Sequence, residues 1–80
     1  MKLPRDLSAG DFIRLSTKLG YQVSRQSGSH IRLTTTQNGT HHITIPNHKP
    51  IKIGTLSAII TEIADHFKMD KPALCHHLFG

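Results

Sequence analysis

In three runs between Tyr21 and Ile45 the apolar residues fall on alternate positions, while before and after that stretch they recur every third or fourth. This double change of period constrains the fold more than any other feature of the chain. Tyr21 and Val23 alternate with Gln22 and Ser24 in a first strand, which Gln26 to Gly28 interrupt. A second strand, His30 to Thr36, sets Ile31, Leu33 and Thr35 on one face and His30, Arg32, Thr34 and Thr36 on the other. Asn38-Gly39 supplies the two residues of positive φ that a type I′ hairpin turn requires, and Thr40 to Ile45 resumes the alternation with Ile43 and Ile45 inward. Pro46 cannot donate to a ladder and stops the third strand.

Helices flank this meander. Ser8 as N-cap, Asp11 at the capping-box position and the Leu7/Phe12 staple spacing start the first, Phe12, Leu15 and Leu19 form its stripe, and Gly20 ends it. Gly54-Thr55 opens the second, with Thr55 the expected cap, and Leu56, Ile59, Ile60, Ile63 and Phe67 give it a wide apolar face. Asp70 caps a short third helix, Lys71 to Leu78, with Pro72 in its first turn. The expected architecture is α+β: helix, three-stranded antiparallel sheet, helix, with both main helices on one sheet face and residues 1–80 forming one domain.

The chain has 80 residues, 10 Lys and Arg against 5 Asp and Glu, and one cysteine. One cysteine makes no internal bridge, and neither a secretory segment nor a membrane span is legible, so a cytoplasmic location without membrane attachment is expected. The formal charge of +5 favours an anionic partner, since Lys and Arg that neutralise phosphates release condensed counterions. The basic residues are scattered from Lys2 to Lys71, so folding must assemble any patch.

His30 is the leading candidate for chemistry. It enters strand two after Gly28-Ser29, on the polar face, between Arg25 and Arg32 in sequence. An imidazole of ordinary pKa, about 6.5, exchanges a proton near neutral pH, as cleavage of RNA by its own 2′-hydroxyl requires. Arg25, Arg32, Lys49 or Lys52 could offset charge on a pentacovalent phosphate, and Gly28 would admit a sugar-phosphate backbone. The residues alone leave His30 open between this role and that of an exposed strand histidine without one. Lys49 and Lys52 before the Gly54-Thr55 helix start read equally as a phosphate site or a solvated loop. His41 and His42 point to opposite faces, and Cys75, His76 and His77 diverge around a helix, so neither set suits a metal. Cys75 reads as a small buried apolar residue. No cofactor motif is present.

As a set, Gly20-Tyr21 through Gly28-Ser29-His30, Ile43-Thr44-Ile45-Pro46, the His48-Lys49 loop, and Gly54-Thr55-Leu56 before an isoleucine-rich helix resemble the HicA-like mRNA interferase toxins, over residues 8–67. The resemblance implies a double-stranded-RNA-binding-domain-like fold and a metal-independent endoribonuclease acting on mRNA, with His30 catalytic and Gly28 and Ser29 presenting it. It further implies a HicB-like antitoxin that covers the active face in a toxin-antitoxin hetero-oligomer. Lys49, Lys52 and Thr55 carry over as RNA-backbone contacts. The chain departs from the pattern in its C-terminal extension, Met69 to Gly80, and in the His41-His42 pair. Two other readings use the same fold. One is a non-catalytic module that binds duplex RNA by its shape, and the other is a protein-interaction domain with an acidic partner.

Overall fold

A computed structural model describes residues 2–80. Helix α1 spans Ala9–Ser16 and begins as a reciprocal capping box: the Asp11 N–H donates to Ser8 Oγ at 3.1 Å while the Ser8 N–H donates to Asp11 Oδ2 at 3.4 Å. Hydrogen bonding to the carboxyl from the Ser8 side chain and then its backbone N–H, with the Arg14 guanidinium behind, holds Asp11 below its ordinary pKa. A single 3-10 turn, Thr17–Leu19, follows and ends at Gly20 with φ +80°. Only glycine fits there. A Cβ would lie 2.8 Å from both Thr35 Oγ1 and the Gln37 side-chain nitrogen, because buried Thr35 donates its hydroxyl to the Leu19 carbonyl at 2.6 Å across the same gap.

Strands β1 (Gln22–Ser27), β2 (His30–Thr35) and β3 (His41–Pro46) form an antiparallel sheet in that order. The inward row is as the alternation predicts: Ile31, Leu33, Thr35, Ile43 and Ile45 are all buried. Strand one differs. Tyr21 lies just before β1 and is wholly buried, yet β1 itself is exposed along its length, with Val23 48% accessible. On this edge strand alternation therefore marks pleat and not burial. The pairing also slips between Val23, opposite Leu33, and Arg25, opposite Arg32, leaving Ser24 as the extra residue of a bulge.

Helix α2 spans Ile53–Phe67 and carries the centre of the core. Leu56, Ile59, Ile60 and Ile63 are at most 3% accessible, each worth about 1.5–3 kcal/mol relative to exposure. The expected Thr55 cap is displaced. The helix begins three residues earlier than a Thr55 cap would place it, its N-cap is Lys52, and no side chain caps it. Buried Ile51 anchors the chain just upstream, and its N–H donates to the Leu7 carbonyl at 2.8 Å, which sets the entry point before Thr55 is reached. Helix α3, Lys71–Phe79, is capped by Asp70, whose Oδ1 accepts from the Ala73 N–H at 2.8 Å, and buries Leu74, Cys75 and Leu78. All buried apolar side chains from the sheet, α1, α2 and α3 join one cluster, so the helices share one sheet face and the other is left open. No helix among the described residues is long and apolar enough to cross a membrane.

Candidate active site

The open sheet face is built by β2 and its two neighbours. Ser27 and His30 pair across a two-residue turn, Gly28-Ser29, in which Gly28 has φ +57° and Ser29 does not share its left-handed conformation. Glycine at the first turn position fits a type II′ hairpin, whose twist matches the strands it joins. The turn therefore delivers His30 as the first residue of β2, exposed, with Pro46 opposite it on β3. The Asn47 N–H donates to the Ser29 carbonyl at 2.6 Å and ties the next loop against the turn.

Around His30 the face forms an open concavity of about 200 Å³ lined by Arg25, Ser27, His30, Arg32 and Thr44. Two arginine side chains and an imidazole thus border one shallow depression. The bulge makes this possible. By strict alternation Arg25 would share a face with Tyr21 and Val23, whereas the extra residue at Ser24 reverses the parity and turns Arg25 outward beside Arg32.

Of the residues singled out in the sequence, His30, Arg25 and Arg32 converge here, and Gly28 and Ser29 form the adjoining turn. Lys49 and Lys52 stand exposed on the loop after β3, and Thr55 is exposed in the first turn of α2. None of the three lines the concavity. Ser27 and Thr44 do line it and escaped the sequence reading. Thr44 could have been found from the register, since it sits opposite Arg32 in the β2/β3 ladder.

The other histidines divide by face, as their adjacency predicts. His41 turns toward the core side, where its Nδ1 lies 2.7 Å from the Tyr21 hydroxyl and its ring stacks on His66 of α2 at 4.4 Å and 9°. Burial first, then His66, hold its imidazole below the ordinary value, with Glu62 pulling the other way and His42 adding a smaller downward push. Tyr21 is pushed up to about 12 by burial and by Glu62. His42 faces outward and contacts Thr34. Among the described residues no three His, Cys, Asp or Glu side chains converge as metal ligands do. Cys75 is buried, and that burial pushes its thiol pKa up, away from thiolate chemistry.

Residues 9–64 match the family model described as HicA toxin of bacterial toxin-antitoxin. No curated protein and no solved structure matches the chain.

Proposed function

The chain belongs to the HicA toxin family, and from that membership together with the placement of His30 we propose that this toxin is a metal-independent endoribonuclease that cleaves messenger RNA in the cytoplasm. The observation that carries the reading is the exposed imidazole of His30 set in one concavity with Arg25 and Arg32. A ribose-phosphate laid there places its 2′-hydroxyl within reach of the ring. His30 removes the hydroxyl proton, the 2′-oxygen bonds to phosphorus, and the bond to the 5′-oxygen breaks. The proton passes to that leaving oxygen, giving a 2′,3′-cyclic phosphate and a free 5′-hydroxyl. Arg25 and Arg32 offset the charge that builds on the equatorial oxygens, the electrostatic contribution that weighs most in such reactions. Lys49, Lys52 and Thr55 lie outside the concavity and serve, in this reading, as contacts to flanking backbone. Gly28 and Ser29 hold the histidine at the strand's start.

One imidazole plus charge stabilisation supplies fewer catalytic effects than a paired acid and base, so turnover is slow. A HicB-like antitoxin neutralises the toxin by covering the open sheet face in a hetero-oligomer. The test is His30→Ala. Cleavage of mRNA and growth arrest should fall by about 100-fold or more, while circular dichroism and antitoxin binding stay those of the parent, because the side chain is outside the core. A variant that still cuts RNA overturns the assignment, and a parent protein that binds RNA but never cuts it favours the non-catalytic module.

A further inference from the structure

The outer sheet face carries a second arrangement, one that proton transfer at His30 does not use. Ser24, Thr34 and His42 come one from each strand, Thr34 and His42 as ladder partners and Ser24 as the bulge residue. Ser24 Oγ lies 2.6 Å from Thr34 Oγ1, which lies 2.7 Å from His42 Nδ1. Ser24 Oγ also donates to the Arg32 carbonyl at 3.3 Å and accepts from Arg32 Nε at 3.4 Å.

Counting protons leaves the chain two directions, one of which frees an acceptor on His42. A serine hydroxyl has one hydrogen, and with that hydrogen on the Arg32 carbonyl, Ser24 accepts from Thr34. Thr34 has then given its own hydrogen and must accept from His42 Nδ1–H. The opposite direction gives up only the 3.3 Å contact to the Arg32 carbonyl, longer than an O–H···O bond ordinarily runs, so the His42 tautomer belongs to the proposal and not to these distances. In the first direction a neutral imidazole, with its single N–H at Nδ1, presents Nε2 of His42 as a bare acceptor on an exposed side chain.

The ladder sets where this acceptor stands. His30 and Thr34 are four residues apart on β2, a separation of about 13 Å at strand rise, and His42 sits beside Thr34. That is too far for both imidazoles to serve one phosphorus. It is the right order for a neighbouring nucleotide of a strand that crosses the face from His30 past Arg32.

We propose that His42 is a specificity-determining residue, whose Nε2 accepts a hydrogen bond from the exocyclic amino group of a nucleobase in single-stranded RNA, with Thr34 and Ser24 as positioning residues. The placement of the strand rests on the nuclease reading of His30. At the position His42 meets, an amino-bearing base is favoured over uracil.

Binding of 2′-O-methyl hexanucleotides, which the 2′-hydroxyl chemistry cannot cleave, tests this directly. Each position carries cytosine or uracil in turn. The parent should prefer cytosine at one position by about fivefold, the scale of one neutral hydrogen bond. His42→Ala should erase that preference, and Thr34→Val, which keeps the imidazole but frees its Nδ1, should reduce it. Nitrogen-15 NMR of the parent should show the Nδ1–H tautomer at His42. A preference that survives in His42→Ala, no preference at any position in the parent, or an Nε2–H tautomer overturns the proposal. Cleavage of the all-ribose hexanucleotide is read separately. A parent that discriminates bases yet leaves that strand intact supports base reading by His42 and overturns the nuclease reading alone.

Discussion

Gly28 shows how a single residue can matter through its backbone alone. Its φ of +57° lies where an L side chain is strained, yet a Cβ built there meets nothing within 4 Å. Strain and crowding are therefore separable at this position, as they are not at Gly20, where a Cβ would strike Thr35. Gly28→Ala should cost about 1 kcal/mol of stability through the turn's conformation, while RNA cleavage at a temperature where the variant stays folded remains measurable. D-alanine at the same position, introduced by chemical synthesis, adopts positive φ without strain and should restore the parental urea midpoint. Failure of the D-residue to restore it would mean that the turn depends on more than handedness.

Between elements, the run from Tyr21 through His41 to His66 ties the sheet to the end of α2. The Tyr21 ring meets Phe67 edge-on at 6.2 Å, and His66 Nε2 lies 2.9 Å from the Gln37 carbonyl, so the β2–β3 turn, β3 and the end of α2 are tied together. Because folding lowers the pKa of His41, its contribution to stability is present above the ordinary imidazole value of about 6.5 and is lost as pH falls through the lower folded value. Tyr21 works at the other end of the scale. Its folded pKa of about 12 lies above the ordinary value of 10.0, so its contribution is present below pH 10 and lost as pH rises toward 12. Urea midpoints should therefore decline on both sides of neutrality. His41→Gln should flatten the acid limb and Tyr21→Phe the alkaline one, the latter at a cost of about 1 kcal/mol at pH 7 for the lost hydrogen bond. An unchanged acid limb in His41→Gln would mean that His41 is not the source of that limb. At this same scale lies the boundary of what the sequence discloses. The strands, the positive φ of Asn38 and Gly39 and the capping box follow from local chemistry, and the resemblance singles out His30. The ladder nonetheless closes with Thr35 opposite His41 on a five-residue loop and not on the two-residue type I′ hairpin that Asn38-Gly39 signals. The bulge at Ser24 does not follow, because nothing in a period of two signals a skipped partner. For that reason the convergence of Arg25 on Arg32 and the outward turn of Ser24 emerge only from the ladder. Thr55 misled for a related reason: a good capping residue lost its place to Lys52, next to Ile51, whose burial is a tertiary fact.

For the molecule as a whole, the matched segment ends at residue 64, and α3 lies beyond it. That helix is nonetheless part of the core. Leu74 and Leu78 are at most 1% accessible, Lys18 donates to the carbonyls of His77 and Leu78 at 3.2 and 3.3 Å, and Lys71 donates to the Ser57 carbonyl and hydroxyl from the opposite end. A chain this short has little stability to spare, on the order of 5 kcal/mol at the low end of ordinary domains. Removing residues 69–80 withdraws two buried leucines at about 1.5–3 kcal/mol each and uncovers the apolar surface of α1 and α2 beneath them. The loss equals or exceeds the total, so the truncated chain should show no cooperative melting transition and no cleavage activity. Leu74→Ala and Leu78→Ala test the same point without shortening the chain, each at a cost of about 2–5 kcal/mol. The active face lies across the sheet from α3, so either point variant, held below its own transition, should cut RNA at the parental rate. A leucine variant that melts like the parent yet loses activity would mean that the extension acts on the site by some route other than the core.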